Sequence, residues 1–122
     1  MSRIARITNR VAVGVLSGWL RGVFQELEYL LTDGQGATNT IYRSYLTYEY
    51  GTSSKFHAFA VYEYTDREGN TVYAGGNAYG RIGKSPKTIR IAKGTSRFGV
   101  ESAVENKERA KARKGYDIQW SD

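Results

Sequence analysis

The sequence predicts an α+β domain: an antiparallel sheet of about four strands with a C-terminal helix packed on it, plus an N-terminal amphipathic helix. Apolar residues recur at helical spacing before residue 32, and from residue 41 onward they alternate with the two-residue period of strands. A chain of 122 residues can bury one hydrophobic core without disulfides, and this one has no Cys. We therefore expect an N-terminal helical extension and linker over residues 1–40 and a sheet domain over residues 41–122.

The N-terminal helix is predicted at about residues 17–32. Its large apolar residues follow the three-four spacing of an amphipathic helix, and they are Trp19, Leu20, Val23, Phe24, Leu27, Leu30 and Leu31. Asp33-Gly34 then gives a stop signal. Upstream, the alternation of Val11, Val13 and Val15 with small residues suits a strand as well as a helix. The apolar stripe is larger than a thin sheet needs, so we expect a homo-oligomer formed through residues 17–32.

The sheet and the second helix are predicted from alternation, turn residues and caps. The strands lie at 41–50, 55–64, 71–81 and 87–93, and a helix from Thr95 or Ser96 to about Lys114 precedes a short extended piece at 116–120. The second strand has apolar residues on both sides, so we expect both of its faces to be covered. In the third strand, Gly75-Gly76 indicates a bulge or the close approach of another backbone.

The first twenty residues share two features with a secretory signal peptide. Arg3, Arg6 and Arg10 precede an apolar run from Val11 to Leu20. No small-residue cleavage site follows, because Arg21 ends the run, and ten apolar residues are too few to span a bilayer. We therefore expect neither a cleaved nor a membrane-spanning segment, and a cytoplasmic location in a bacterial or phage-infected cell. A membrane-surface adaptor anchored by these arginines and the apolar run is the weakest of the functions that the sequence leaves open.

Charge is distributed unevenly along the chain, whose net charge is +6. Residues 1–22 carry a net +4, residues 23–80 a net −4 and residues 81–116 a net +8. A cationic block of this kind favours a polyanionic partner, either nucleic acid or an anionic membrane surface. The alternative is a lysine-rich face that only keeps the domain soluble.

Catalytic and metal-binding patterns are weak. Without Cys, the chain has no thiol nucleophile and no thiolate zinc site, and the single His57 is expected to be a strand residue. Gly83-Lys84-Ser85 resembles the end of a phosphate-binding loop, but Ala78 stands where its first Gly is needed and a strand follows. Glu49 and Glu63 are expected to be surface carboxylates. We therefore expect no enzyme, no cofactor and no metal.

One motif resembles a known family, the WGR domain, over roughly residues 41–120. Tyr79-Gly80-Arg81-Ile82-Gly83 is similar to its signature, and Lys114-Gly115-Tyr116 is similar to the end of many bacterial members. Tyr79 replaces the signature Trp, and the first 35 residues have no counterpart in the family. In poly(ADP-ribose) polymerases this domain binds DNA breaks. The resemblance implies that residues 41–122 form a WGR-like domain, that Tyr79 packs on a sugar or base and that Arg81 contacts a phosphate.

The residues themselves favour the same function. Cations interleave with aromatic residues around the third and fourth strands, as a surface that follows a phosphate backbone and stacks on bases requires. The predicted nucleic-acid-binding residues are Tyr73, Tyr79, Arg81, Lys84, Lys87, Arg90 and Lys93, with DNA favoured over RNA as the partner. Tyr116 and Trp120 are expected to belong to the core.

The alternative function is that of a structural or assembly protein, for instance a phage-encoded one, which self-associates through its N-terminal helix. One observation separates the two functions. The apolar stripe of the helix either packs on the chain's own sheet or stays exposed for a partner.

Overall fold

The first helix is longer than the sequence predicts. The structure, a computed structural model, describes the backbone of residues 10–122 and the side chains of residues 18–122; Arg3 and Arg6 therefore lie outside the described residues. Helix α1 runs over Arg10–Leu31, so the stretch at 11–15 that suited either helix or strand is helical. The chain leaves the helix through Asp33 and Gly34, both at positive φ (52° and 78°), and this confirms the predicted stop.

The sheet has five antiparallel strands, one more than predicted. They are β1 (Asn39–Tyr50), β2 (Ser53–Thr65), β3 (Thr71–Arg81), β4 (Lys87–Gly94) and β5 (Asp117–Ser121), and helix α2 (Arg97–Arg113) lies between the last two. The spatial order is β4-β3-β2-β1-β5. The prediction undercounted because β5 is only five residues long and becomes a strand by pairing with the free edge of β1.

The two helices cover opposite faces of the sheet, which we call the α1 face and the α2 face. On the α1 face, Leu27 and Leu31 of the helix pack against a cluster that includes Phe56 and Tyr62 of β2. On the α2 face, Val100 and Val104 pack against another cluster, whose members are Tyr42, Leu46, Phe59 and Val61. The central strand β2 is thus covered on both sides, as predicted.

Gly75 and Gly76 let both helices approach β3. A Cβ atom on Gly75 would lie 2.4 Å from a methyl group of Val104, and one on Gly76 would lie 2.7 Å from a methyl group of Leu31. The register with β4 also shifts here: Gly75 pairs with Ala92 and Gly76 with Arg90, so β4 has a bulge opposite the two glycines. The predicted close approach to Gly75-Gly76 is confirmed. Side chains of both helices approach the two glycines, in addition to the backbone of the neighbouring strand.

The apolar stripe of α1 packs on the chain's own sheet. Leu20, Val23 and Phe24 are buried together with Leu27 and Leu31. The boundary expected at residue 40 therefore separates two segments that share one hydrophobic core. Self-association through residues 17–32 remains a prediction, but the exposed stripe that suggested it is absent from the described residues.

Short-range hydrogen bonds fix the β2–β3 turn and the start of α2, where Ser96 is one of the two predicted caps. The Asp66 carboxylate accepts hydrogen bonds from the backbone N–H groups of Glu68 and Asn70 (2.9 and 2.8 Å), and Gly69 takes a positive φ of 85°. Ser96 caps α2 by accepting from the N–H of Gly99 at 3.1 Å.

Between residues 10 and 122, neither helix combines the length and the apolar character that crossing a bilayer would require.

Candidate nucleic-acid interface

Three of the seven predicted site residues meet at one end of the α2 face. Tyr79 lies beside His57 of β2 and Lys87 of β4 in the strand register, and Arg81 lies beside Lys55. Arg81 and Lys87 are exposed, whereas Tyr79 is half-buried. Strand alternation places Tyr79, Arg81 and Lys87 on one side of the sheet because each register pair shares a face.

Lys84 lies in the turn that joins β3 to β4, and its side chain is exposed. The turn is fixed from the opposite side of the sheet, where Nε1–H of Trp19 donates to the carbonyl oxygen of Lys84 at 2.8 Å. This hydrogen bond connects α1 to the segment that follows Arg81.

Arg90 and Lys93 lie on the α1 face, away from Tyr79. The Arg90 guanidinium donates to the carbonyl oxygens of Leu30 and Leu31 at the end of α1 and to the Asp33 carboxylate at 3.2 Å. Lys93 donates to the other Asp33 oxygen at 3.3 Å. These two hydrogen bonds lower the pKa of Asp33, Arg90 being the larger cause. Arg90 and Lys93 therefore both stabilise the C-terminus of α1, where the helix dipole favours positive charge.

Tyr73 lies on the α2 face but at the far end of β3, opposite Gly94 and Glu63. Six residues of strand separate it from Tyr79, a distance of roughly 20 Å. Tyr73 packs against the apolar cluster under α2. The structure does not bring it together with Tyr79 and Arg81.

A cavity of about 220 Å³, which we call the tyrosine cleft, opens beside Tyr79 and Arg81. Its lining residues are Lys55, Phe56, His57, Tyr79, Gly80, Arg81 and Tyr116. Sequence reasoning missed Lys55, which the Asp66–Asn70 hairpin loop brings opposite Arg81. It also placed Tyr116 in the core, where the ring does pack, but one side of that residue lines the cleft.

Aromatic contacts hold the walls of the tyrosine cleft. The His57 ring stacks on Tyr79 with 5.4 Å between centroids, and Tyr116 meets His57 edge-on at 4.9 Å. Tyr48 supports Tyr116 from β1 at 5.5 Å. Such pairs fix ring orientation beyond the effect of burial alone. Trp120, by contrast, packs against Phe24 in the core, as predicted.

His57 is a buried, neutral imidazole. Only 6% of its surface is exposed, and burial lowers its pKa to about 4, with Lys111 and Lys114 adding to the decrease and the hydrogen bond to Asn77 opposing it. Nδ1 of His57 donates to Oδ1 of Asn77 at 3.0 Å, because an amide oxygen only accepts. In the neutral ring this leaves Nε2 as an acceptor, and Nε2 has no hydrogen-bond partner among the described residues.

Five cations surround the tyrosine cleft on the α2 face. Lys55, Arg81 and Lys87 project from three neighbouring strands, and Lys111 and Lys114 come from the end of α2 close enough to act on His57. In the part of the chain that the structure describes, none of the five forms an ion pair. Burial and then the charges of Lys114 and Lys107 lower the pKa of Lys111. Such crowding of like charges favours an anion at this end of the sheet.

Comparison with known proteins identifies no relative: no family model, no curated protein and no solved structure matches this chain.

Proposed function

We propose that this protein is a nucleic-acid-binding module, and not an enzyme, whose contact surface is the end of the α2 face around the tyrosine cleft. One observation carries the proposal: cations without an ion pair among the described residues and tyrosine rings coincide at a single place on the sheet. Phosphates would contact Lys55, Arg81 and Lys87, while Tyr79 and Tyr116 offer rings to a sugar or base. A surface that tracks a phosphate backbone and stacks on bases needs both kinds of side chain.

The resemblance to the WGR domain supports the same surface. Tyr79 and Arg81, the positions that correspond to its signature, line the tyrosine cleft, and so does Tyr116 of the matching Lys114-Gly115-Tyr116. We propose DNA as the partner on this resemblance, in the cytoplasm of a bacterial or phage-infected cell. Arg90, Lys93 and Tyr73 are not part of the proposed surface, because their side chains are used elsewhere in the fold.

The structure offers less support for the alternative of an assembly protein. That function needed the apolar stripe of α1 to be available to a partner, and the stripe is buried against the sheet. No observation on residues 18–122 favours the assembly function over nucleic-acid binding.

Fluorescence anisotropy with short labelled DNA oligonucleotides tests the proposal. The logarithm of the binding constant should fall linearly with the logarithm of salt concentration, by about 0.7–0.9 per phosphate neutralised, so the three proposed contacts give a slope between about −2 and −3. The absence of measurable binding at about 50 mM salt, where phosphate contacts are strong, would overturn the proposal.

Charge reversal should locate the contact surface. Arg81→Glu is expected to weaken DNA binding by about 1.5–3 kcal/mol, because it removes a charge-assisted hydrogen bond to phosphate. Arg67→Glu is the matched control, since Arg67 is also exposed but lies in the turn at the other end of the β2–β3 hairpin, roughly 33 Å away along ten residue pairs. Both affinities and both thermal melts are measured at one salt concentration.

Lys107→Glu gives a second control on the exposed side of α2. Equal losses in Arg81→Glu, Arg67→Glu and Lys107→Glu would contradict a defined contact surface and indicate non-specific attraction to the net charge of +6.

A further inference from the structure

We infer that the tyrosine cleft receives one unstacked base, and that the protein therefore prefers single-stranded nucleic acid to a duplex. The inference rests on the proposed function and adds the form of nucleic acid that the surface selects. Three features of the cleft carry it: its size, its ring walls and the free acceptor of His57.

The size suits a single planar ring system. At about 220 Å³ the cleft is smaller than the roughly 300–1,000 Å³ of pockets that enclose drug-sized ligands. Its walls are the rings of Tyr79, His57 and Tyr116, held in place by their contacts with one another. A cavity of this size with aromatic walls fits a base better than it fits a sugar with its phosphate.

His57 provides a hydrogen-bonding position inside the cleft. Its ring lines the cavity, its Nδ1 is occupied by Asn77, and its Nε2 has no partner among residues 18–122. Nε2 accepts a hydrogen bond and donates none, because His57 is neutral at physiological pH. Every nucleobase carries at least one N–H on the edge that pairs in a duplex, so an unpaired base could donate to this acceptor.

The cations extend the site beyond one base. Lys55 and Arg81 stand at the mouth of the cleft, Lys87 lies one strand further along the sheet and Lys114 lies at the end of α2. Because these cations lie on two sides of the cleft, the phosphates that precede and follow an inserted base could each contact a cation. In a duplex, both the faces and the pairing edge of a base are occupied. A duplex base must therefore be unpaired and unstacked before it can enter the cleft, which costs a few kcal/mol.

The experiment compares three ligands of matched length by fluorescence anisotropy with the full chain. They are oligo(dT), the same backbone with abasic units in place of every base, and a blunt DNA duplex. The first two carry the same phosphates, so their affinity ratio isolates the base. We expect oligo(dT) to bind about 5- to 150-fold more tightly than the abasic strand, the effect of one stacked base, and more tightly than the duplex.

The outcomes separate this inference from the proposed function. Equal affinity for oligo(dT) and the abasic strand, or a duplex bound as tightly as oligo(dT), would overturn the inference and leave phosphate binding intact. Failure of all three ligands to bind would overturn the proposed function itself.

Two variants connect the preference to the tyrosine cleft. Tyr79→Ala should bring the ratio of oligo(dT) to abasic affinity close to one, and Tyr79→Phe should retain the preference because the ring remains. The ratio does not depend on how much of the variant is folded, since both ligands meet the same folded fraction. Tyr29→Ala is the control: Tyr29 is 72% exposed on α1, and its loss should leave the ratio unchanged. An unchanged ratio in Tyr79→Ala would overturn the inference.

Discussion

Gly76→Ala is expected to lower the free energy of unfolding by about 2–3 kcal/mol, near the upper end of the usual cost of overpacking. The new Cβ would lie 2.4 Å from the carbonyl oxygen of Ile89 and 2.7 Å from a methyl group of Leu31. Leu31 could rotate away, but the Ile89 oxygen belongs to the backbone of the paired strand β4 and moves only if the strand pairing moves. Urea denaturation followed by circular dichroism measures the change.

Gly22→Ala is the matched control for the same substitution. Apart from its chain neighbours and the backbone of its own helix, no atom of the described residues lies within 4 Å of the position of its Cβ, and Gly22 is an exposed residue of α1. Removing an unnecessary helical glycine should stabilise the protein by about 0.5–1 kcal/mol. The two alanines therefore differ in sign as well as in size. A Gly76→Ala protein as stable as the wild type would show that α1 and β4 do not pack on β3 in this way.

Acid is expected to destabilise the fold through His57. The folded-state pKa is about 4 because burial disfavours the imidazolium, whereas the unfolded chain has a pKa near 6.5. The unfolded state therefore binds the proton more readily. The stabilisation is complete above about pH 6.5 and is lost as the pH falls toward 4, by about 2–3 kcal/mol.

Comparison of urea melts at about pH 7 and pH 5 tests this, since most carboxylates stay ionised in that window. His57→Gln keeps an N–H that can donate to Asn77 and cannot titrate, so its stability should change less over the same interval. His57 is the only histidine of the chain, so its ring proton signal reports the folded-state pKa directly. A titration midpoint near 6.5 in the folded protein would contradict the burial that the structure gives this ring.

Much of the candidate site was predictable from one hairpin. The Asp66–Asn70 loop pairs Thr65 with Thr71, and counting ten residues along each strand brings Lys55 opposite Arg81. Alternation alone then places His57 beside Tyr79 on the same face. The composition and periodicity also identified both helices and four of the five strands. A register count at the sequence level would have found Lys55 and His57 as members of the site.

The contribution of α2 was not predictable in this way. Lys111 and Lys114 come near His57, and Tyr116 lines the tyrosine cleft, because a helix packs across the sheet. That packing depends on the space that Gly75 leaves for Val104. No local pattern in the sequence predicts how closely α2 packs on the sheet.

The basic residues of β4 lie on both faces of the sheet because the strand has a bulge. Lys87, Arg90 and Lys93 form one cationic run in the sequence, yet only Lys87 lies on the α2 face. The bulge opposite Gly75 and Gly76 inserts one extra residue, Ile91, and so turns Lys93 to the same side as Arg90. Strict alternation would have placed Lys93 with Lys87. A one-residue irregularity thus decides which cations belong to the proposed surface.

The cations of β4 also affect how two molecules meet in concentrated solution, because β4 lies at an edge of the sheet. Within residues 10–122, β4 is an outermost strand, and such a strand presents backbone groups that could recruit the strand of another molecule and begin an aggregate. Its bulge interrupts a continuous hydrogen-bonding edge, and a second β4 brought alongside would place the cations Lys87, Arg90 and Lys93 of the two strands close together. Arg90 and Lys93, which Asp33 holds to α1, therefore also disfavour edge-to-edge pairing of two sheets.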